Sequence, residues 1–291
     1  MTTIQRAPAR PKVRVAAVSY LNTVPMIEGL QAWRDAELTT AVPARLAEMV
    51  VDGRADLGLV SLADYARAGG AEGLGGKPGL LLVPCGMIGC DGPTMTVRVY
   101  SAVPPERITT LHADTDSHTS VVLAQVVLAE RFGVRPRLEA FHVRERLAGG
   151  SDAPEGWPES VLLIGDKVVS DSPPAVRYPY QIDLGEAWKA MTGLPFVYAV
   201  WMCRADRADD PAVRSAAAMI DRQRRRNGLR LDSVITAEAP RKGWPADLAR
   251  CYVGELLRFE VDDRARQGVA AFLAKAAGLG LLPPAEPRWA G

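Results

Sequence analysis

The chain has 291 residues, 48% of them hydrophobic, which is enough to bury a substantial core and long enough for two domains of ordinary size. Lys and Arg total 35 against 34 Asp and Glu, so no large field exists to gather nucleic acid or an anionic membrane, and a small molecule is the expected partner. The four cysteines form no C-x-x-C pair and the three histidines are scattered, which argues against a zinc motif and for reduced thiols.

Met1 to Arg10 is rich in Pro, Arg and Ala and lacks the apolar core of a secretory signal. No uncharged apolar run approaches the ~20 residues of a membrane-spanning helix. A soluble, cytoplasmic protein is expected. Val13 to Val18 (VRVAAV) reads as a buried strand that ends in the polar loop Ser19 to Pro25. Leu46, Met49 and Val50 recur at helical spacing before Gly53, and Asp56 to Ser61 (DLGLVS) follows as a second strand. This β-α-β pattern makes the two strands parallel and puts the loops near Asn22 and Ser61 at one sheet edge, where ligands usually sit.

Gly69 to Gly79 reads as a connecting loop. Met95 to Tyr100 (MTVRVY) alternates as a strand and is taken as the first crossing between lobes, with Pro104-Pro105 breaking the chain beyond it. Ser120 to Phe132 is apolar on nearly every face, a helix buried on several sides and stopped by Gly133. Val161 to Ile164 is a further buried strand, ending at Gly165-Asp166. Phe196 to Cys203 (FVYAVWMC) is the longest β-rich run and is taken as the return crossing. Asp210-Pro211 opens a helix that Gly228 stops, and Asp262 to Gly278 forms another. Periodicity alone fits either two α/β lobes joined by two strands or one larger doubly wound sheet.

Several stretches occur in an order that resembles one family. They are Ser19-Tyr20-Leu21-Asn22-Thr23, Asp56-Leu57-Gly58-Leu59-Val60, Ser117-His118-Thr119-Ser120, Ile164-Gly165-Asp166, and Asp183-Leu184-Gly185-Glu186-Ala187-Trp188 with Thr192-Gly193-Leu194-Pro195-Phe196. The family is the chorismate dehydratases of the futalosine menaquinone route, and the resemblance runs from about residue 13 to residue 204, with a weaker helical C-terminus. It implies an α/β, two-lobed fold like the type II periplasmic binding proteins, with two crossover strands and a ligand cleft between lobes. Lobe one would comprise residues 1–97 and 203–291, and lobe two residues 98–202. It also implies a hydro-lyase, without metal or organic cofactor, that converts chorismate to 3-(1-carboxyvinyloxy)benzoate and water. Two positions depart from the family's habit: Cys90 stands where serine is common, and His118 where arginine tends to follow the serine.

Chorismate carries two carboxylates, and each needs donors in a partly desolvated cleft. Thr115, Ser117, Thr119 and Ser120 cluster at the start of the buried helix, where free N–H groups and the helix dipole favour an anion, although serine and threonine there are also ordinary caps. Ser19, Tyr20 and Asn22 lie in the strand-end loop, which either satisfies a turn or lines the ligand edge. Asn22 is the leading catalytic candidate, because its amide can donate to the C4 hydroxyl as it departs. Ser61, Cys90 and Asp91 fall at strand ends or loops and are candidates for the same cleft; elimination needs no covalent intermediate, so Cys90 is not read as a nucleophile. Asp166 is either a helix cap or a cleft residue.

The imidazoles are His112, His118 and His142, and only His118 lies in a family-like stretch. The base is therefore either His118 or the substrate's own enolpyruvyl carboxylate, held close to the C3 proton. Arg222, Arg224, Arg225 and Arg226 read as a solvated last helical turn, and Trp188, Phe196, Tyr198 and Trp201 as core or cleft wall. Two other functions fit the same fold: a non-catalytic solute-binding module for a small organic anion, and an enzyme like the related dihydroxynaphthoate synthases. Nothing in the sequence specifies an oligomeric state.

Overall fold

Short apolar runs bounded by turn residues form the strands of two separate sheets in the computed structural model, which describes residues 12–114, 117–141 and 156–291. In chain order the strands are β1 (Val13–Ala17), β2 (Ala36–Thr40), β3 (Leu57–Ser61), β4 (Leu80–Cys90), β5 (Val97–Ser101), β6 (Thr110–Ala113), β7 (Arg137–Ala140), β8 (Ser160–Ile164), β9 (Tyr180–Asp183), β10 (Phe196–Arg204) and β11 (Leu257–Arg258). The first sheet has the order β11-β4-β10-β3-β1-β2 and the second β7-β6-β8-β5-β9. Each is the centre of one lobe of a mixed α/β, two-lobed molecule.

β1 runs parallel to both β2 and β3, with Val15 opposite Leu57, and the helix Pro43–Val51 makes the crossover between the two buried strands. Pro43 suits the first turn of that helix because its missing N–H would have had no partner there. The β-α-β unit read from the sequence is therefore present. The edge strand β2 is an addition. Its residues AELTT are half exposed and lack the apolar run of a buried strand, so periodicity gives no sign of it.

β10 lies antiparallel between β3 and β4, and β5 lies antiparallel between β8 and β9. Both strands expected to bridge the lobes thus belong wholly to one sheet: β5, including Val97, to the second and β10 to the first. The chain crosses just before each of them, through residues 91–96 and through the stretch from the helix Leu184–Thr192 to Pro195. A strand long enough to span two lobes satisfies more backbone hydrogen bonds by lying full length between two neighbours.

The helix His118–Phe132 has Val122, Leu123, Ala124, Val126, Val127 and Leu128 buried, and Gly133 ends it in a left-handed conformation, φ 70°. Helices Pro211–Gly228 and Asp263–Gly278 open on Asp210 and Asp262, whose side chains accept from Ala212 N and Ala265 N. Arg224, near the end of the first of these, is largely covered and paired with Asp221 at 2.7 Å, in contrast to the solvated turn expected. A small second core of Leu21, Ile235, Trp244, Tyr252 and Val253 joins the loop after β1 to the C-terminal helices. No helix among the described residues is long and apolar enough to cross a membrane.

Candidate active site

The loop that follows β1 is anchored by Leu21, which is 1% exposed in that small core. Burial of Leu21 turns the next residue, Asn22, toward the space between the sheets. Its amide is held at both ends: Nδ2 donates to Tyr252 Oη at 3.3 Å, and Oδ1 accepts from Thr23 Oγ1 at 3.2 Å. Tyr252 Oη also accepts from Thr96 Oγ1 at 2.8 Å. Burial pushes the Tyr252 phenol up to about 12, so it is neutral at physiological pH.

Asn22 opens on a cleft of about 940 Å³ including its open mouth. Asn22, Tyr20 and Ser61 line one side, from the ends of β1 and β3, and Ser117, Ser120 and Asp166 line the other. Ser117 caps the helix His118–Phe132, its side chain accepting from Ser120 N, and the two hydroxyls stand 3.0 Å apart. That end of the helix supplies hydroxyls and the positive pole of the dipole to the cleft. Lys167 brings the one cationic side chain among the described lining residues; it is buried and ion-paired with Asp114.

Thr119 does not face the cleft. It is fully buried, 2.7 Å from Ser61 Oγ and accepting from Ala63 N at 3.0 Å, so it ties the second-lobe helix to the end of β3. His118 also sits off the cleft, with Nδ1 2.7 Å from Asp64 Oδ1. Ser19 accepts from Lys242 Nζ through both its carbonyl and its hydroxyl at 2.9 Å, and Asp91 is paired with Lys189; neither lines the cleft. Cys90 is buried behind it, accepting from Thr94 Oγ1 at 2.9 Å, and burial pushes its thiol up to about 11. A thiol so protonated is no nucleophile. Asp166 starts a short helix without a side-chain cap bond; its carboxylate accepts from Trp244 Nε1 at 2.8 Å, which favours the cleft reading over the cap. Thr115 and His142 lie outside the described residues.

Thr94, Thr96, Lys167, Tyr198 and Tyr252 line the cleft as well, and the sequence reading did not select any of them as a polar site group. Thr94 and Thr96 lie within the first crossing, and Thr96 falls inside an expected strand, where a polar residue suggests only alternation. Tyr252 lies in a π-helical stretch, Arg250–Leu256, about 230 positions from Asn22. Such stretches recur at functional sites, but no local pattern announces them. Among the described residues no histidine lines the cleft, and no three His, Cys, Asp or Glu side chains come together as a metal site.

A family model described as menaquinone biosynthesis matches residues 13–278. The chain belongs to that family. A relative of this menaquinone biosynthesis protein, the chorismate dehydratase of Thermus thermophilus, is 29% identical over 289 residues, covering 94% of this chain and 96% of that one. Among solved structures, a protein from Archaeoglobus fulgidus aligns with a TM-score of 0.68 at 13% identity, covering 93% of this chain and 98% of the other. A Candida albicans protein described as having the generic periplasmic binding protein structural fold aligns at 0.65 and 11% identity, covering 97% and 98%. The alkanesulfonate-binding protein of Xanthomonas axonopodis, bound to MOPS, aligns at 0.62 and 14% identity over 95% and 96%. The family member described here therefore has the periplasmic-binding-protein fold, and at such identities these structures speak to fold alone.

Proposed function

We propose that this protein is a chorismate dehydratase, a hydro-lyase of menaquinone biosynthesis that removes water from chorismate to give 3-(1-carboxyvinyloxy)benzoate. The observation that carries the reading is a single cleft in which the Asn22 amide opposes a helix N-terminus, in a chain aligned along 94% of its length with a chorismate dehydratase. The reading brings with it a small-molecule substrate and action in the cytoplasm. The lobes divide at residues 91–96 and again ahead of β10, and the substrate binds where they meet.

Each part of the substrate has a counterpart. One carboxylate is received by Ser117 and Ser120 at the helix N-terminus, and Lys167 attracts the other. Asn22 Nδ2 has two N–H bonds, one given to Tyr252 and the second left for the departing C4 oxygen. The lining contains no described histidine, which supports a substrate-borne base: the enolpyruvyl carboxylate takes the C3 proton beside it. The electron pair of the C3–H bond becomes the new ring π bond, the C4–O pair leaves with the hydroxyl, and aromatisation drives the step.

Incubation with chorismate followed by chromatography tests the reading. The aryl enol ether should accumulate in proportion to enzyme. Binding of chorismate with no product over many hours would instead support a solute-binding module.

A further inference from the structure

Tyr252 holds a geometry that the dehydration described above does not use. Its ring is stacked on Trp244, centroids 5.1 Å apart and planes 7° from parallel, and Trp244 is fixed in turn by its N–H to Asp166. Its oxygen accepts from two donors, Asn22 Nδ2 and Thr96 Oγ1, one from each lobe's share of the cleft wall. A phenolic oxygen has room for two such acceptances. With both filled, its own O–H is left to donate, and Tyr252 lines the cleft. Two donors on a phenol favour the phenolate and so offset part of the burial that pushes Tyr252 up.

We propose that Tyr252 is the general acid of the elimination, giving its proton to the C4 hydroxyl as the C–O bond breaks, while Asn22 and Thr96 stabilise the phenolate left behind. This rests on the dehydratase reading. The balance is closed: the enolpyruvyl carboxylate takes the C3 proton, the leaving hydroxide takes the phenolic proton and departs as water, and the phenolate recovers a proton from the carboxylic acid directly or through that water. Transfer is downhill, because the phenol, although raised by burial, remains more acidic than water, the conjugate acid of the leaving hydroxide. Burial chiefly holds the phenol up and the Asp166 carboxylate adds to it; Cys90, a neutral thiol, and Lys167 are the other titratable groups beside it.

The test is Tyr252→Phe, which keeps the stack on Trp244 and removes only the hydroxyl. The expected result is a fall in kcat of about 10²–10⁴-fold with KM and product affinity within a few-fold of the parent, since general acids typically contribute that much. A second variant carries 3-fluorotyrosine at position 252, which preserves shape and lowers the phenol's pKa; the alkaline limb of kcat should move to lower pH with it. A merely structural hydroxyl would leave that limb in place. Near-parental kcat in Tyr252→Phe, or an unmoved alkaline limb in the fluorotyrosine protein, overturns the proposal, and the latter decides should the phenylalanine variant not fold. A parent enzyme that leaves chorismate unchanged defeats the dehydratase reading itself, and this inference with it.

Discussion

Asn22 is held by bonds at both ends of its amide, so little reorganisation is needed when charge develops on the departing oxygen. Preorganised donors of this kind are among the larger sources of rate enhancement. Asn22→Ala should therefore lose on the order of 10²–10³ in kcat while keeping its thermal unfolding profile. Asn22→Asp should be at least as poor, because an ionised carboxylate cannot donate to Tyr252 and places charge of the wrong sign beside the leaving group. Chorismate consumption measured with ligand binding checks both, and a folded Asn22→Ala enzyme with near-parental kcat removes Asn22 from the mechanism. At the same scale, the serine-to-cysteine departure at Cys90 is mild: the thiol sits behind the wall as an acceptor for Thr94, whose hydroxyl lies 2.8 Å from Tyr198 Oη.

The two crossings are clasped to each other by one element junction. Asp183, at the end of β9, caps the helix Leu184–Thr192 by accepting from Gly185 N and Glu186 N, and the same carboxylate accepts from Thr94 N at 2.9 Å and Met95 N at 2.7 Å. Met95 adopts φ 70°, uncommon for a residue with a side chain, and the bond from its N–H to Asp183 helps hold that conformation. Asp183→Ala strands four N–H donors at once, and we expect a loss of about 3 kcal/mol or more in urea unfolding, against a smaller loss for Asp183→Asn, which keeps one acceptor oxygen. Gly185 belongs to the same junction. A Cβ there would stand 2.3 Å from Thr94 Oγ1, 2.5 Å from Gly92 O and 2.6 Å from Cys90 Sγ, so the helix could not approach the crossing as closely. Gly185→Ala should cost roughly 1–3 kcal/mol and disturb turnover through Thr94; a variant as stable as the parent would show that the junction yields freely.

At the scale of the whole molecule, the cleft is bridged without a ligand by the Ser61–Thr119 hydrogen bond and by Asp64 with His118, each linking the end of β3 or its following helix to the helix His118–Phe132. A ligand touching Asn22 on one side and Ser117 on the other adds to this bridging and binds only the folded form. Saturation at about 100 times Kd is worth roughly 2.7 kcal/mol, which corresponds to a rise of about 4–5 °C in Tm for a chain of this length. Thermal unfolding with and without 3-(1-carboxyvinyloxy)benzoate measures it. No shift at a saturating concentration would mean that the product does not bind in the native cleft.

Much of the architecture is local in origin and therefore legible in the sequence. β1, β3 and β8 announce themselves as short apolar runs ending in polar loops, the buried helix by apolar residues on every face, and the two C-terminal helices by their aspartate caps. The resemblance of Ser19–Thr23, Ser117–Ser120 and Ile164–Asp166 to one family likewise selects Asn22, Ser117, Ser120 and Asp166, and the end of an apolar strand selects Ser61; the fold brings all five to one cleft. Only tertiary structure could decide the rest. Neither the turning of Thr119 and His118 away from the cleft nor the recruitment of Thr96, Lys167 and Tyr252 to it follows from residue type, because each depends on which distant backbone happens to lie alongside. Tyr252 meets Asn22 only because burial of Leu21 against Trp244 and Ile235 folds the C-terminal segment over the first loop. Periodicity records which side of an element is apolar; it carries no information about which polar groups two such sides will bring within hydrogen-bonding distance.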